Sequence, residues 1–262
     1  MKPIDHRIQT TLITGASSGI GVEFARQLAA RGSNIVLVAR RKERLEALAA
    51  ELEAAHGVRA WAIPLDLTLP DVGRLVAEAV AERGINVTSV INNAGFGTHG
   101  PFHASDAHQL REQITLNVTN LVDISRSFVE PLRVNGAGYL INVASMAAYF
   151  PSPKMAVYAA TKAFVLNFTE ALWQESLDSG LRVLTVSPGA TATEFGDTAG
   201  ADAYGNARLR PPSDVVETAL RELERTRSRP SVAVGRANRS LTTLIRLFSR
   251  RRLVLIAANL TP

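Results

Sequence analysis

The stretch from Ser145 to Lys162 holds the side chains best suited to acid–base chemistry. Tyr158 and Lys162 stand four residues apart in a run that reads as a helix from Met155 onward, so one turn places phenol and ammonium on a common face. A phenol with a reference pKa of about 10 transfers protons poorly near neutral pH, and general acid–base catalysis works best when the pKa lies near the working pH. Lowering it by about three units takes about 4 kcal/mol of differential stabilisation, within reach of a partly desolvated lysine beside a cationic ring. Ser145, at the carboxyl end of the apolar run from Gly138 to Ala144, would orient a reacting oxygen. Taken alone, Tyr-x-x-x-Lys describes a core tyrosine and an exposed lysine on any amphipathic helix, so the chemical reading depends on what the rest of the chain supplies.

The first elements supply a phosphate cradle. The β-branched run Thr10 to Thr14 leads into Gly15-Ala16-Ser17-Ser18-Gly19-Ile20-Gly21 and then into a helical pattern that stops at Gly32. Glycines let the backbone turn tightly against a pyrophosphate, and the free amides and positive dipole end of the helix hold its charge. The spacing is G-x-x-x-G-x-G, not the strict G-x-G-x-x-G fingerprint. A second strand, Asn34 to Ala39, closes a βαβ unit and ends in Arg40-Arg41, where a site for a free ribose 2′-hydroxyl would want a carboxylate. A guanidinium there can clamp a 2′-phosphate instead, which favours NADP(H) over NAD(H); the competing reading is a solvated helix start. Further strands end in Asp66-Leu67, where the carboxylate can accept from an adenine amine or serve as a turn residue, and in Asn92-Asn93-Ala94-Gly95, whose small side chains admit a ligand.

Between Asp106 and Pro131 the pattern predicts one long helix carrying Asn117, and Leu181 to Val186 predicts a sixth strand ending in Ser187-Pro188-Gly189-Ala190-Thr191-Ala192-Thr193. The stretch from Glu194 to Pro212, rich in Gly, Ala and Asp, reads as a mobile lid. A helix from Asp214 to about Arg227 and a seventh strand, Ser231 to Val234, follow. Leu241, Leu244, Ile245 and Phe248 then share one helical face.

Composition bounds the possibilities. A chain of 262 residues with 46% hydrophobic content can bury one large α/β core, and we expect a single catalytic domain over residues 1–235 with a C-terminal extension over 236–262. The absence of cysteine excludes disulfides and thiolate metal sites, and the first residues lack the apolar core of a signal peptide, so the expected location is the cytoplasm. No apolar run reaches the ~20 residues that span a bilayer. His99, His103 and His108 have no companions at ligand spacing, and no metal is expected. Of the net charge of +5, nine arginines and no Asp, Glu or Lys fall after Glu224, which leaves −4 on the first 224 residues. Such a tail packs on its own domain or a subunit neighbour, or else meets an anionic membrane surface or acidic partner through Arg250-Arg251-Arg252. It lacks the aromatic interleaving of a nucleic-acid surface.

Strands alternate with helices and the chemistry gathers at strand carboxyl ends, as in a Rossmann-type doubly wound α/β fold with a parallel sheet of about seven strands. Over roughly Thr10 to Val234 the chain resembles the short-chain dehydrogenase/reductase family, through Thr14-Gly15-x-x-x-Gly19-x-Gly21, Asp66, Asn92-Asn93-Ala94-Gly95, Asn117, Ser145, Tyr158-x-x-x-Lys162 and Pro188-Gly189. The resemblance implies a catalytic tetrad: Tyr158 as acid/base, Lys162 lowering its pKa and holding the nicotinamide ribose, Ser145 on the substrate oxygen, and Asn117 holding a water of the proton relay. It further implies that Asp66 binds adenine, that Asn93, Ala94 and Gly95 pack beside the adenosine, that Pro188, Gly189, Thr191 and Thr193 face the nicotinamide, and that Arg40 marks NADP(H). Phe96, Phe102, Met146, Tyr149, Phe150 and the Glu194–Pro212 lid would line a pocket for a hydrophobic ketone, aldehyde or secondary alcohol. The family's pairing of long helices implies a homodimer or homotetramer. The alternative is a dinucleotide-binding regulatory or scaffolding protein that reaches a partner through its basic tail.

Overall fold

The computed structural model describes residues 4–205, 207–225 and 229–260. Seven parallel strands form one sheet in the order β3-β2-β1-β4-β5-β6-β7: β1 Thr10–Thr14, β2 Asn34–Ala39, β3 Ala60–Pro64, β4 Ser89–Asn92, β5 Tyr139–Val143, β6 Arg182–Ser187 and β7 Ser231–Ala233. The order reverses between β1 and β4, which opens a crevice at their carboxyl ends.

Ten α-helices flank the sheet among the described residues: α1 Gly19–Ala29, α2 Lys42–His56, α3 Val72–Ala81, α4 Ala107–Ile114, α5 Asn120–Asn135, α6 Ala156–Glu175, α7 Phe195–Ala199, α8 Pro212–Leu223, α9 Arg236–Leu244 and α10 Arg250–Leu260. Strand residues alternate between two cores, as the period of two requires. Ile13, Ile35, Leu37, Ile91, Ile141 and Leu184 meet α1, α2 and α8 on one face, while Leu12, Val36, Val38, Val90, Leu140 and Val183 meet α3 and α5 on the other.

One polar chain crosses this apolar interior. Asn92 and Asn142 are register partners on β4 and β5, and the Asn92 amide donates to Asn142 Oδ1 at 2.9 Å and to Ser125 Oγ of α5 at 3.0 Å. Asn142 Nδ2 donates onward to Thr169 Oγ1 of α6 at 2.9 Å.

Several expected boundaries move. The long helix does not run unbroken from Asp106 to Pro131. A π-helical turn, Thr115–Thr119, separates α4 from α5, and α5 passes through Pro131 to Asn135. Pro131 lies inside α5, where it removes one backbone donor, and the left-handed Gly136 (φ 65°) ends the helix. The stretch read as a mobile lid holds α7 and a 3-10 turn at Ala201–Tyr204. Helix α8 stops at Leu223, and the expected end near Arg227 lies outside the described residues.

The tail is two helices with a bend between, not one. Ile245, Leu253 and Ala257 are buried against the domain, while Leu244, Leu247, Leu255 and Ile256 stay exposed. No helix among the described residues is long and apolar enough to cross a membrane.

Candidate active site

The cleft begins where β1 passes into α1. Gly15 and Gly19 adopt left-handed conformations (φ 65° and 53°), so the loop needs glycine at both. Gly21 is required for closeness: a Cβ there would stand 2.3 Å from the Gly15 carbonyl oxygen and 2.8 Å from Asn93 Nδ2. Asn93 ties the loop to β4, donating through Nδ2 to the carbonyls of Thr14 at 3.0 Å and Gly15 at 3.3 Å. The Thr14 hydroxyl accepts from the backbone amides of Asn93 and Ala94, both at 3.0 Å. The first turn of α1, whose amides carry no side-chain cap, lines the cleft.

Ser145 leaves the end of β5 and Tyr158 and Lys162 project from α6, and all three line the same cleft. The Ser145 hydroxyl accepts from the Ala147 amide at 3.1 Å and also favours the phenolate form of Tyr158. Burial pushes that phenol up to about 12, with the Ser145 bond pulling the other way. Lys162 is 4% exposed, and burial lowers its ammonium to about 8. Its Nζ donates to the Val143 carbonyl at 2.9 Å and sits 5.9 Å from the Tyr158 ring centroid. In the protein alone, burial is therefore the largest influence on this phenol. Desolvation favours the protonated phenol.

Asn117 lies in the π turn, fully buried, with its amide saturated: Oδ1 accepts from the Phe96 amide at 3.1 Å, and Nδ2 donates to the Phe96 carbonyl at 2.8 Å and to Thr161 Oγ1 at 3.2 Å. The side chain thus acts like a strand partner for Phe96 and pins the loop after β4. These bonds occupy the side chain of the residue that the resemblance links to a relay water.

At the other end of the cleft stand Ala39, Arg40, Arg41, Asp66 and Leu67. Arg40 is exposed and makes no hydrogen bond or ion pair with the described residues, whereas Arg41 donates to Ser17 Oγ and pairs with Glu194. Asp66 Oδ1 accepts from the Thr68 amide and hydroxyl, both at 2.9 Å, so this carboxylate is a turn residue that also faces the cleft. Ser17, Ser18, Ile20, Ala94, Gly95, Pro188, Gly189, Thr191 and Thr193 complete the wall.

Of the residues expected to line a substrate pocket, Phe96, Met146 and Phe150 do so, but Phe102 and Tyr149 do not. Phe102 sits on a 3-10 turn and is 67% exposed, turned to solvent by the loop that Gly100 and Pro101 direct outward. Tyr149 ends the 3-10 turn after Ser145, which brings Met146 and Ala147 to the cleft and leaves Tyr149 outside it. Gln109, Glu112 and Leu116 also line the cleft, as do Phe195 and Tyr204 from the supposed lid and Ala257 from the tail. The i, i+3, i+7 spacing of Gln109, Glu112 and Leu116, which runs from α4 into the π turn, was a readable sign of one shared face, but the approach of Ala257 had none.

The cleft holds about 720 Å³ and runs continuously from Arg40 past the glycine loop to Tyr158. A cradle that a single Cβ at Gly21 would fill, uncapped amides beside it and a free guanidinium at one end fit a nicotinamide dinucleotide.

Comparison with known proteins agrees with this geometry. The signature of the short chain dehydrogenase family matches residues 9–203. The chain is 37% identical over 215 residues to a sulfoacetaldehyde reductase of Chromohalobacter salexigens, covering 78% of this chain and 84% of that one. Among solved structures, a short-chain dehydrogenase from Sphingobium yanoikuyae in complex with NADPH superposes with a TM-score of 0.81 at 34% identity, covering 92% of this chain and 96% of that chain. A 3-ketoacyl-(acyl-carrier-protein) reductase from Brucella melitensis complexed with NADH gives 0.76 at 29% identity, covering 88% of this chain and 99% of that chain. With its fold and most of its length in common with these enzymes, the chain belongs to the short-chain dehydrogenase/reductase family of oxidoreductases.

Proposed function

We propose that the protein interconverts a carbonyl and an alcohol by hydride transfer with NADP(H), Tyr158 serving as the acid/base. The observation that carries this reading is the meeting of Ser145, Tyr158 and Lys162 at one end of a cleft whose other end presents an unpaired Arg40. The bound cofactor supplies or accepts the hydride. Ser145 and the Tyr158 phenol hold the reacting oxygen, and in reduction the phenol, proton-bearing in this environment, gives that oxygen its proton. Lys162, fixed by the Val143 carbonyl, stabilises the phenolate left behind. Phe96, Met146, Phe150 and Phe195 exclude water and favour an apolar carbonyl or alcohol substrate.

Fluorescence titration with NADPH and NADH in one buffer tests the cofactor, and tighter NADPH binding is expected. Tyr158→Phe should remove turnover on an aldehyde or ketone panel and leave NADPH affinity within about twofold. Turnover by the variant at the wild-type rate would sink the acid/base role.

A homo-oligomer built through α5 and α6 agrees with the stacked Phe164 and Phe168 rings on α6, whose centroids are 5.8 Å apart, and with the exposure of Phe164. The tail supports a second reading, contact with an anionic surface, because exposed Leu247, Leu255 and Ile256 lie among exposed Arg246, Arg250, Arg251 and Arg252. Salt-sensitive sedimentation with anionic vesicles measures it.

A further inference from the structure

Glu194 immediately precedes α7, and its carboxylate reaches across the cleft mouth to the start of α2. Oε2 accepts from Arg41 Nη1 at 2.7 Å and Oε1 from Arg44 Nη1 at 2.6 Å. Arg41 also donates to the Ser17 hydroxyl through Nε at 3.0 Å and Nη2 at 2.9 Å. The Ser18 hydroxyl caps no amide of its own helix and helps to hold the Glu194 carboxylate below the usual carboxylate range. Two guanidiniums and a hydroxyl from the glycine-loop end of the cleft thus converge on one carboxylate, delivered by a segment 150 residues further along the chain.

These groups, Arg44 excepted, line the cleft next to Arg40. Cationic forks with hydroxyl donors are also the chemistry that receives a phosphate dianion. Arg41 directs one N–H from each of Nε, Nη1 and Nη2 to Ser17 and Glu194, and a phosphate beside the carboxylate would add like-charge repulsion. The residue after Glu194 engages the opposite end of the cleft: the Phe195 ring lies 5.2 Å from the Tyr158 ring, centroid to centroid, and 5.9 Å from Tyr204. Consecutive residues therefore hold the guanidiniums and cover the phenol.

We propose that Glu194 is an internal counter-anion that competes with the 2′-phosphate of the cofactor for Arg41 and Arg44, so that it tempers NADP(H) affinity and ties phosphate arrival to release of the α7 segment over Tyr158. The proposal rests on the NADP(H) reading above. The side chains of both ion pairs are between 39% and 52% exposed, so a ligand can displace the carboxylate at modest cost. A cofactor without the 2′-phosphate has no such competitor and leaves the contact standing.

Adenosine 2′,5′-bisphosphate and 5′-AMP serve as probes, since neither reaches Tyr158. By calorimetry on the full chain, Glu194→Gln should tighten the bisphosphate about three- to tenfold and change 5′-AMP less than about twofold. In the wild-type protein, the bisphosphate should also speed tryptic cleavage after Arg208, in the segment beyond α7, while 5′-AMP should not; Glu194→Gln should be cleaved at the faster rate with no ligand. Unchanged or weaker bisphosphate binding in the variant, or equal changes for both probes, overturns the role of Glu194 while a wild-type preference for the bisphosphate leaves the NADP(H) reading intact. Equal affinity of the wild-type protein for both probes removes that reading, and this proposal with it.

Discussion

Replacing Lys162 by methionine should abolish turnover and at the same time make the folded protein more stable at neutral pH. Burial brings this ammonium from its ordinary 10.5 down to about 8. That depression corresponds to about 3 kcal/mol of stability withheld from the fold at pH 7. Between pH 8 and 10.5 the unfolded chain holds the proton that the folded chain has released, so stability from this group rises with pH through that window, and below it the full cost remains. Methionine is unbranched like lysine, one atom shorter, and carries no charge, so the cost disappears. The change also removes the donor to the Val143 carbonyl, which offsets about 1–2 kcal/mol. The expected net gain is about 1–2 kcal/mol at pH 7, shrinking toward zero or reversing by pH 10. Urea midpoints of both proteins at pH 7 and pH 10, with turnover measured in parallel, decide the matter. A variant less stable at pH 7, or a stability gap of the same size at both pH values, would refute the reasoning, since then either the ammonium is not paying for its burial or its charge is not the cause.

Gly21→Ala should destabilise the protein by about 1–3 kcal/mol and weaken every dinucleotide tested, because the new methyl meets the Gly15 carbonyl at 2.3 Å and forces the cradle open; denaturation and titration curves superposing on the wild type would contradict this. Arg40→Ala should weaken NADPH by about tenfold and NADH by less than about threefold. Equal losses for the two cofactors in parallel titrations would take Arg40 out of phosphate recognition.

Much of the architecture was readable because it rests on local rules. The run Thr10–Thr14, the glycine loop and the amphipathic turn after it announce strand, cradle and helix without reference to the rest of the chain. The placement of Ser145 at a strand end and of Tyr158 one turn before Lys162 follows from the same periodicities, and the cleft brings them together. What escaped depends on distant partners. The π turn at Asn117 exists because its amide meets the Phe96 backbone, and no hydrophobic period records that contact. The segment after Glu194 looked featureless because its order comes from Phe195 on Tyr158 and from Glu194 on Arg41 and Arg44, contacts between residues far apart in the chain. For the phenol, spacing from lysine was visible in the sequence, whereas its depth of burial was not. Phe102 and Tyr149 were aromatic and near the site in sequence, but short 3-10 turns direct side chains one position at a time, and both fell outside the cleft.

The asparagine chain through the core has a bearing on accuracy that stability alone would not reveal. Ser125, Asn92, Asn142 and Thr169 link α5, two neighbouring strands and α6 in a single line of hydrogen bonds. An apolar contact tolerates rotation of a helix by some degrees, but an amide meeting a hydroxyl within a buried site has one productive azimuth. Helix α6 is thus keyed to β5 like a gear on a splined shaft, and the key lies on the same helix as Tyr158 and Lys162, one strand residue away from the carbonyl that Lys162 grips. Greasier cores at these four positions could fold as well or better. They would leave the phenol free to swing, and aim rather than endurance is what the buried amides preserve.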